Sequence, residues 1–296
     1  DRRQRQMCIR DSFYTRAEVL FMKKIFISGA SSGIGKSLAR SYSKKKYTIG
    51  LCSRNINNLE LVKAECESLG GKIYIYQLDV QNSTQCNRVA KQFIKSANGI
   101  DYVIANAGIG GKDDLFSGSS NNLNNILKTN LFGVVNILMP FLPKMKKQNN
   151  GKLICISSVA AFIPTPHHGG YSGSKVAIKM IFDSWRPSLN NFNIKAITIC
   201  PGFIDTPMVK GIGSWFPIKS ADEASEKFLK IIEEDLETFI YPLYYKLLIY
   251  LFPESILLML VIISKNVDFP LPVSPITAIF SPFSILKFKF SYIFFD

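Results

Sequence analysis

The sequence predicts an α/β fold: a doubly wound parallel sheet of about seven strands with helices on both faces. Three observations predict it. Short apolar runs rich in Ile, Val and aromatic residues alternate with amphipathic segments from residue 23 to residue 242. These runs are continuous rather than alternating, as strands covered on both faces are. Small and polar residues gather where the runs end, which is where such sheets bind ligands.

The elements follow in order. "KKIFISGA" reads as the first strand, and "GKSLARSYSKKK" has helical spacing. "YTIGLCSR" is the second strand, followed by "NLELVKAECESLG", an amphipathic helix that ends in glycine. "KIYIYQLDV" is the third strand, and "STQCNRVAKQFIKSANG" is a helix opened by Ser83 or Thr84. "IDYVIANAG" is the fourth strand, and a long helix runs from about Asn121 to Lys147. "GKLICISS" is the fifth strand, "YSGSKVAIKMIFDSWRPSLNNF" a helix, and "IKAITICPG" the sixth strand. "SADEASEKFLKIIEED" is a helix capped by Ser220, and "ETFIYP" closes the series. Right-handed crossovers would join these units into one sheet, so residues 22–242 read as a single domain.

The two ends differ from this middle. Residues 1–21 have no clear periodicity, and their apolar stretches are too short for a signal-peptide core; they read as a non-native or disordered leader. Residues 243–296 form an apolar C-terminal extension. Lys246, Pro253 and Glu254 interrupt it, so no uniform run of spanning length emerges. It reads either as an interfacial or partner-binding helical pair in peripheral contact with a membrane, or, around "ILLMLVII", as a plain buried helix. The last stretch, rich in Pro and Phe, fits neither period and reads as partly non-native.

Composition narrows the function. Of 296 residues, 47% are hydrophobic and 20% charged, which is ordinary for a globular chain with a sizeable core. The formal charge of +14 favours anionic ligands or surfaces. The basic residues are scattered and not interleaved with aromatics in a dense run, so nucleic acid is not an expected partner. None of the six cysteines forms a CxxC pair, and no metal is expected. Cys52, Cys155 and Cys200 lie inside apolar runs and read as small buried hydrophobes in a reduced, cytoplasmic setting.

The strand ends carry the chemistry. The first strand runs into "SGASSGIGKSLA". Gly29, Gly33 and Gly35, with Ser31, Ser32 and Ile34 among them, stand where a strand turns tightly into a helix. Glycine there lets main-chain N–H groups approach a pyrophosphate, and the helix N-terminus favours its charge. A ligand-free glycine turn is the plain alternative. The second strand ends at Ser53 and Arg54, where an acidic residue would favour NAD. Arginine offers a planar fork for a 2′-phosphate, so NADP is expected and NAD is the alternative; an ordinary surface arginine is the plain reading. Asp79, followed by Val80, is placed to accept from an adenine amino group. Asn106, Ala107 and Gly108 leave room for a flat cofactor, although Asn106 could instead cap its own strand end. In "YSGSK", Tyr171 and Lys175 share a helical face, either as core aromatic and solvated charge or as a functional pair.

Together "SGASSGIG", "NAG", Asn130, "ISS", "YSGSK" and "PGFIDTPM" resemble the short-chain dehydrogenase/reductase family over roughly Lys23 to Tyr241. Ser28 stands where that family usually has Thr, and it keeps the hydroxyl. The resemblance implies a Rossmann-like fold and an intracellular homo-oligomer. It implies that Tyr171 is the acid/base, that Lys175 is its partner and reaches the nicotinamide ribose, and that Ser158, thirteen positions before Tyr171, orients the substrate, with Ser157 the lesser choice. It implies that Asn130 holds a water on the proton path. Pro201, Gly202 and Ile204 would line the nicotinamide, and Thr206 would contact its carboxamide or the pyrophosphate. The chemistry is coherent: a carbonyl accepting hydride develops negative charge on oxygen and needs a proton donor and a polar group beside it. A free tyrosine ionises near pH 10, and neighbouring cations favour its phenolate.

Other residues are read more plainly. His167 and His168 do not share a helical face and have no further ligands at metal spacing, so they read as part of the loop leading to the site, within reach of substrate. "KDD" at 112–114 reads as a solvated loop, and Trp185 as a helix packing residue. Trp215, Gly211 and Gly213 fall where the family keeps a mobile substrate lid, residues 203–219. The resulting expectation is an NADP-dependent carbonyl reductase or alcohol dehydrogenase acting on a small, lipophilic carbonyl or alcohol. The rival is a non-catalytic NADP-sensing protein or membrane-associated scaffold on the same fold.

Overall fold

The computed structural model describes residues 22–209 and 217–251. Seven strands are present: β1 (Lys24–Ser28), β2 (Thr48–Ser53), β3 (Lys72–Gln77), β4 (Tyr102–Ala105), β5 (Gly151–Ile156), β6 (Ile194–Pro201) and β7 (Thr238–Tyr241). They pair in parallel in the order β3-β2-β1-β4-β5-β6-β7. The chain leaves β1 toward β2 and β3, then crosses back to place β4 on the other side of β1. That reversal opens a crevice at the carboxyl ends of β1 and β4.

Successive strand residues point to opposite faces, so a strand feeding two cores must be apolar throughout. β1 shows this. Ile25 and Ile27 enter one core with Leu38 and Tyr42 of α1 (Gly33–Ser43), Leu59 of α2 (Ile56–Ser68) and Phe228 of α6 (Ala221–Glu233). Between them, Phe26 enters the other core with Phe93 of α3 (Ser83–Ala97), Phe141 of α4 (Asn121–Gln148) and Phe182 of α5 (Gly169–Asn190). Each such side chain contributes about 1.5–3 kcal/mol on burial.

Helix starts follow side-chain caps. Ser220 Oγ accepts from the Glu223 N–H at 3.1 Å, as expected. α3 is capped by Asn82, whose Oδ1 accepts from the Gln85 N–H at 2.9 Å, so the cap lies just ahead of the expected Ser83 or Thr84. Arg186 of α5 fastens that helix to the sheet: it donates to the Ala196 carbonyl at 3.1 Å and the Glu237 carbonyl at 2.7 Å and pairs with Asp183.

The long helix α4 is not uniform. It widens into a π turn at Lys128–Phe132 and tightens into a 3₁₀ turn at Met139–Phe141, where Pro140 has no N–H to donate. By length and composition α4 could cross a membrane. Much of its apolar side, however, packs into the second core: Val134, Ile137, Leu138, Phe141 and Met145 are buried there, and Ile126 is buried as well.

After β7 the chain forms α7 (Leu243–Leu251). Tyr245 is buried, while Leu243, Leu247 and Tyr250 are exposed. The leader at 1–21, the segment holding Gly211, Gly213 and Trp215, and the extension from residue 252 onward lie outside the described residues.

Candidate active site

The turn after β1 needs glycine for two reasons. Gly29 and Gly33 have positive φ, +65° and +52°. Close neighbours also leave no room: a Cβ on Gly29 would stand 2.7 Å from Ala107 Cα, and one on Gly33 2.9 Å from Thr206 Cγ2. The turn is thus wedged between the loops that follow β4 and β6. Gly35 shows a packing demand of its own. It is absent from the cavity wall, and a Cβ there would lie 2.4 Å from the Gly29 carbonyl oxygen, so it serves close packing of α1 on β1. Ser28 explains how a hydroxyl suffices at its position: its Oγ accepts from the Asn106 and Ala107 N–H groups, both at 3.1 Å. The Asn106 amide donates in return to the carbonyls of Ser28 (3.1 Å) and Gly29 (3.0 Å). Its side chain therefore braces the turn.

A cavity of about 530 Å³ opens above this turn. Gly29, Ser31, Ser32, Gly33 and Ile34 line its floor. Ser53, Arg54, Asp79 and Val80 line one end. Asn106, Ala107 and Gly108 form one flank, and Pro201, Gly202, Ile204 and Thr206 the other. Ser158, Tyr171 and Lys175 stand at the far end with Ser157, Ile109, Gly110 and Met208.

Local bonds fix the far end. Lys175 is buried, its Nζ donating to the Ile156 carbonyl at 2.9 Å and standing 5.5 Å from the centroid of the Tyr171 ring. Ser158 Oγ accepts from the Ala160 N–H at 3.1 Å and donates to the Pro201 carbonyl at 3.4 Å. Ser157 instead donates to the Lys175 carbonyl at 3.0 Å, tying α5 to β5. A Cβ on Gly108 would come within 3.7 Å of Lys175 Nζ.

Asn130 lies in the π turn of α4, fully buried and behind the wall rather than in it. Its Oδ1 accepts from the Ile109 N–H at 2.8 Å and its Nδ2 donates to the Ile109 carbonyl at 2.9 Å. The same Nδ2 reaches Ser174 Oγ at 3.3 Å, and Ser174 donates to the Tyr171 carbonyl at 2.6 Å. The wide turn presents this side chain to the loop after β4.

At the opposite end, Ser53 Oγ donates to the Asn55 carbonyl at 3.0 Å, and Gln77 Nε2 to the Arg54 carbonyl at 3.2 Å. The Arg54 side chain itself is exposed at the cavity rim. Asp79 Oδ1 accepts from the Gln81 N–H at 2.9 Å, so one carboxylate oxygen shapes its own turn. Burial pushes the Cys155 thiol up to about 12 and the Cys200 thiol up to about 11, which leaves neither as a nucleophile near neutral pH.

One loop expectation is corrected, that for Asp113; His167 and His168 lie in the loop that leads into α5, as expected. They do not line the cavity; His168 Nδ1 lies 2.7 Å from the Pro166 carbonyl. Asp113, in the supposedly solvated "KDD" loop, is buried. Its carboxylate accepts from the Gly169 and Gly170 N–H groups, the latter at 3.0 Å. A helix that begins without its own capping side chain, as α5 does after His168, was the available signal. The described ends of the segment 203–219 meet: Ile204 and Lys219 form a parallel bridge, with the Asp205 N–H donating to the Lys219 carbonyl at 2.8 Å.

The residues present suit a nicotinamide dinucleotide. The N-terminus of α1 has no side-chain cap and no acidic residue in its first turn, so its N–H groups are free for an anion, and the glycine floor admits close approach. The family model for short chain dehydrogenase matches residues 23–216. A 3-oxoacyl-(acyl-carrier-protein) reductase from Thermotoga maritima is 31% identical over 188 residues, 64% of this chain and 76% of that protein. An alcohol dehydrogenase from the archaeon Thermococcus sibiricus, solved with 5-hydroxy-NADP, matches at a TM-score of 0.67 and 25% identity, covering 74% of this chain and 94% of its own. A short chain dehydrogenase/reductase from Burkholderia phymatum, solved with NAD, shares the fold at a TM-score of 0.72 and 20% identity, covering 80% and 95%.

Proposed function

Because the chain belongs to the short chain dehydrogenase family, whose members are NAD(P)-dependent oxidoreductases, we propose that it is an NADP-dependent carbonyl reductase or alcohol dehydrogenase with Tyr171 as its acid/base. The observation that carries this reading is the meeting of Tyr171, Lys175 and Ser158 at one end of a single cavity whose floor is the glycine turn.

When bound, the nicotinamide supplies or accepts the hydride. The chain's own residues do the rest. Tyr171 gives its phenolic proton to the substrate oxygen in reduction and takes it back in oxidation. Lys175 places a positive charge beside that phenol, and the Ile156 carbonyl holds the ammonium there. Ser158 turns its hydroxyl from the Pro201 carbonyl to the substrate oxygen, a switch that its long 3.4 Å bond favours. Asn130 holds the Ile109 backbone, and through it the flank on which the substrate rests. Arg54 supports the NADP preference: no acidic residue ends β2, and an exposed guanidinium at the rim suits a 2′-phosphate. The wall at the catalytic end, formed by Ile109, Gly110, Pro207, Met208 and Val209, bears no charge, which supports an apolar carbonyl substrate.

The test is a panel of aldehydes, ketones and 3-oxoacyl thioesters, followed by NADPH absorbance with NADH alongside. Turnover of one member with NADPH preferred, and its loss in Tyr171→Phe with nucleotide binding intact, is the expected result. NADPH binding with no turnover across the panel would favour the non-catalytic reading instead.

A further inference from the structure

We infer that Asp113 is a positioning residue for Tyr171: it locks the loop after β4 to the start of the helix that carries the tyrosine. The kinetic part of this inference rests on the proposed role of Tyr171.

Three observations point the same way. First, the side chain is 9% exposed although it lies in a loop between Lys112 and Asp114, and both of its oxygens are engaged by backbone N–H groups of Gly169 and Gly170. These are the first residues of α5, immediately before Tyr171, and α5 has no capping side chain of its own. The carboxylate therefore acts as a cap supplied from a distant loop, and its charge suits the positive end of the helix. Second, the sequence makes room for it. A Cβ on Gly169 would stand 2.9 Å from Asp113 Oδ2, and one on Gly170 would stand 3.1 Å from Asp113 Oδ1. Side chains at either position would push the carboxylate away. Third, the backbone joins the same contact: the Asp113 N–H donates to the His167 carbonyl at 2.7 Å, and His167 holds a left-handed φ of +60°. Non-glycine residues seldom adopt that conformation without surrounding structure that holds them in it.

The loop is fastened at both ends. At Ile109 it is gripped by Asn130, through both the N–H and the carbonyl. At Asp113 it grips α5. Between them Gly110 lines the cavity, and the Lys112 carbonyl accepts a further bond from the Asn122 amide. Asn130 reaches Tyr171 through Ser174 from one side, and Asp113 reaches it through Gly169 and Gly170 from the other. Loop and helix thus share one position, so the phenol and the flank against which the substrate lies move together. A misplacement of about 1 Å at a reacting group can cost about a hundredfold in rate.

The experiment compares Asp113→Ala, Asp113→Asn, Gly170→Ala and the Asp113→Ala/Gly170→Ala pair in the full-length protein. Its readouts are kcat, KM, NADPH affinity by fluorescence, and backbone amide exchange by mass spectrometry. In Asp113→Ala, kcat is expected to fall about tenfold to a hundredfold while NADPH affinity holds, with faster exchange in peptides spanning residues 169–172. Asp113→Asn keeps one acceptor oxygen and is expected to recover part of the loss. The double variant is expected to lose little beyond Asp113→Ala, since both changes break the same contact. Wild-type kcat or wild-type exchange in Asp113→Ala would overturn the inference. So would equal losses of kcat and NADPH affinity, which would mark a general loosening of the fold, or additive effects in the double variant. If the wild-type protein turns over no carbonyl, the proposed function fails; exchange at residues 169–172 still decides whether Asp113 holds the helix.

Discussion

The Lys175 ammonium stands 5.5 Å from the centroid of the Tyr171 ring, one turn along α5, and its direct hydrogen bond goes to the Ile156 carbonyl at the end of β5. The cation is thus fixed by the sheet and not by the tyrosine. Shortening it leaves the phenol where it is but removes the charge beside it. Lys175→Met is therefore expected to lower kcat by about a hundredfold or more. Weaker nucleotide binding should accompany this if the ammonium also reaches the ribose. Steady-state kinetics and NADPH titration of this variant check both; a variant with wild-type kcat would remove the charge from the mechanism.

Arg54 offers a separable test of cofactor choice, because its side chain is exposed at the rim and its backbone is held by Gln77. Its loss should not disturb the fold. A charge-assisted bond to a phosphate is worth about 1.5–3 kcal/mol, so Arg54→Ala should raise KM for NADPH by about tenfold to a hundredfold and leave KM for NADH unchanged. Parallel NADPH and NADH saturation curves measure the ratio. Equal effects on both would mean that the guanidinium does not read the 2′-phosphate.

How far the sequence carries this structure depends on how local each cause is. The doubly covered sheet is legible because Ile25, Phe26 and Ile27 form a continuous apolar run that serves two cores, as a parallel sheet with helices on both faces requires. Tyr171 and Lys175 are legible because one helical turn relates them. The π turn at Asn130 is not: it depends on Ile109, which belongs to another element, accepting the side chain. Asp113 is not legible for the same reason, since its partner Gly170 lies 57 residues away and a carboxylate flanked by charges looks solvated. Gly35 shows the milder case. The motif marks it as glycine, but only the close approach of the Gly29 carbonyl tells that packing also requires it.

Gly202 carries a similar packing demand from the start of the C-terminal extension. A Cβ there would stand 2.1 Å from Tyr245 Cε2, and Tyr245 is fully buried. Gly202→Ala is expected to destabilise the protein by about 1–3 kcal/mol through overpacking. Tyr245→Ala should cost about 3–5 kcal/mol through the cavity it leaves. Because the two residues contest the same space, the double variant should be less destabilised than the sum of the two. Urea unfolding of the three variants gives the coupling, and strict additivity would show that α7 does not bear on Gly202.

Asp183 gives the pH test. Burial pushes its carboxyl up, but Lys179 and Arg186 together outweigh this and hold it below its ordinary value. Lys179 Nζ lies 2.7 Å from Oδ2, and Arg186, itself mostly buried, pairs with Oδ1 while binding the carbonyls of Ala196 and Glu237. A carboxyl depressed in the folded state adds stability that is complete above its ordinary value and is lost as pH falls through the folded one. Asp183→Asn should therefore cost about 1–2 kcal/mol at neutral pH, allowing for partial exposure. The gap between wild type and variant should hold down to the ordinary carboxylate range and close below it. Urea unfolding of both proteins from neutral pH into that acid range measures the gap. A gap that stays constant there would mean that the carboxylate's charge is not what fastens α5 to β6 and β7.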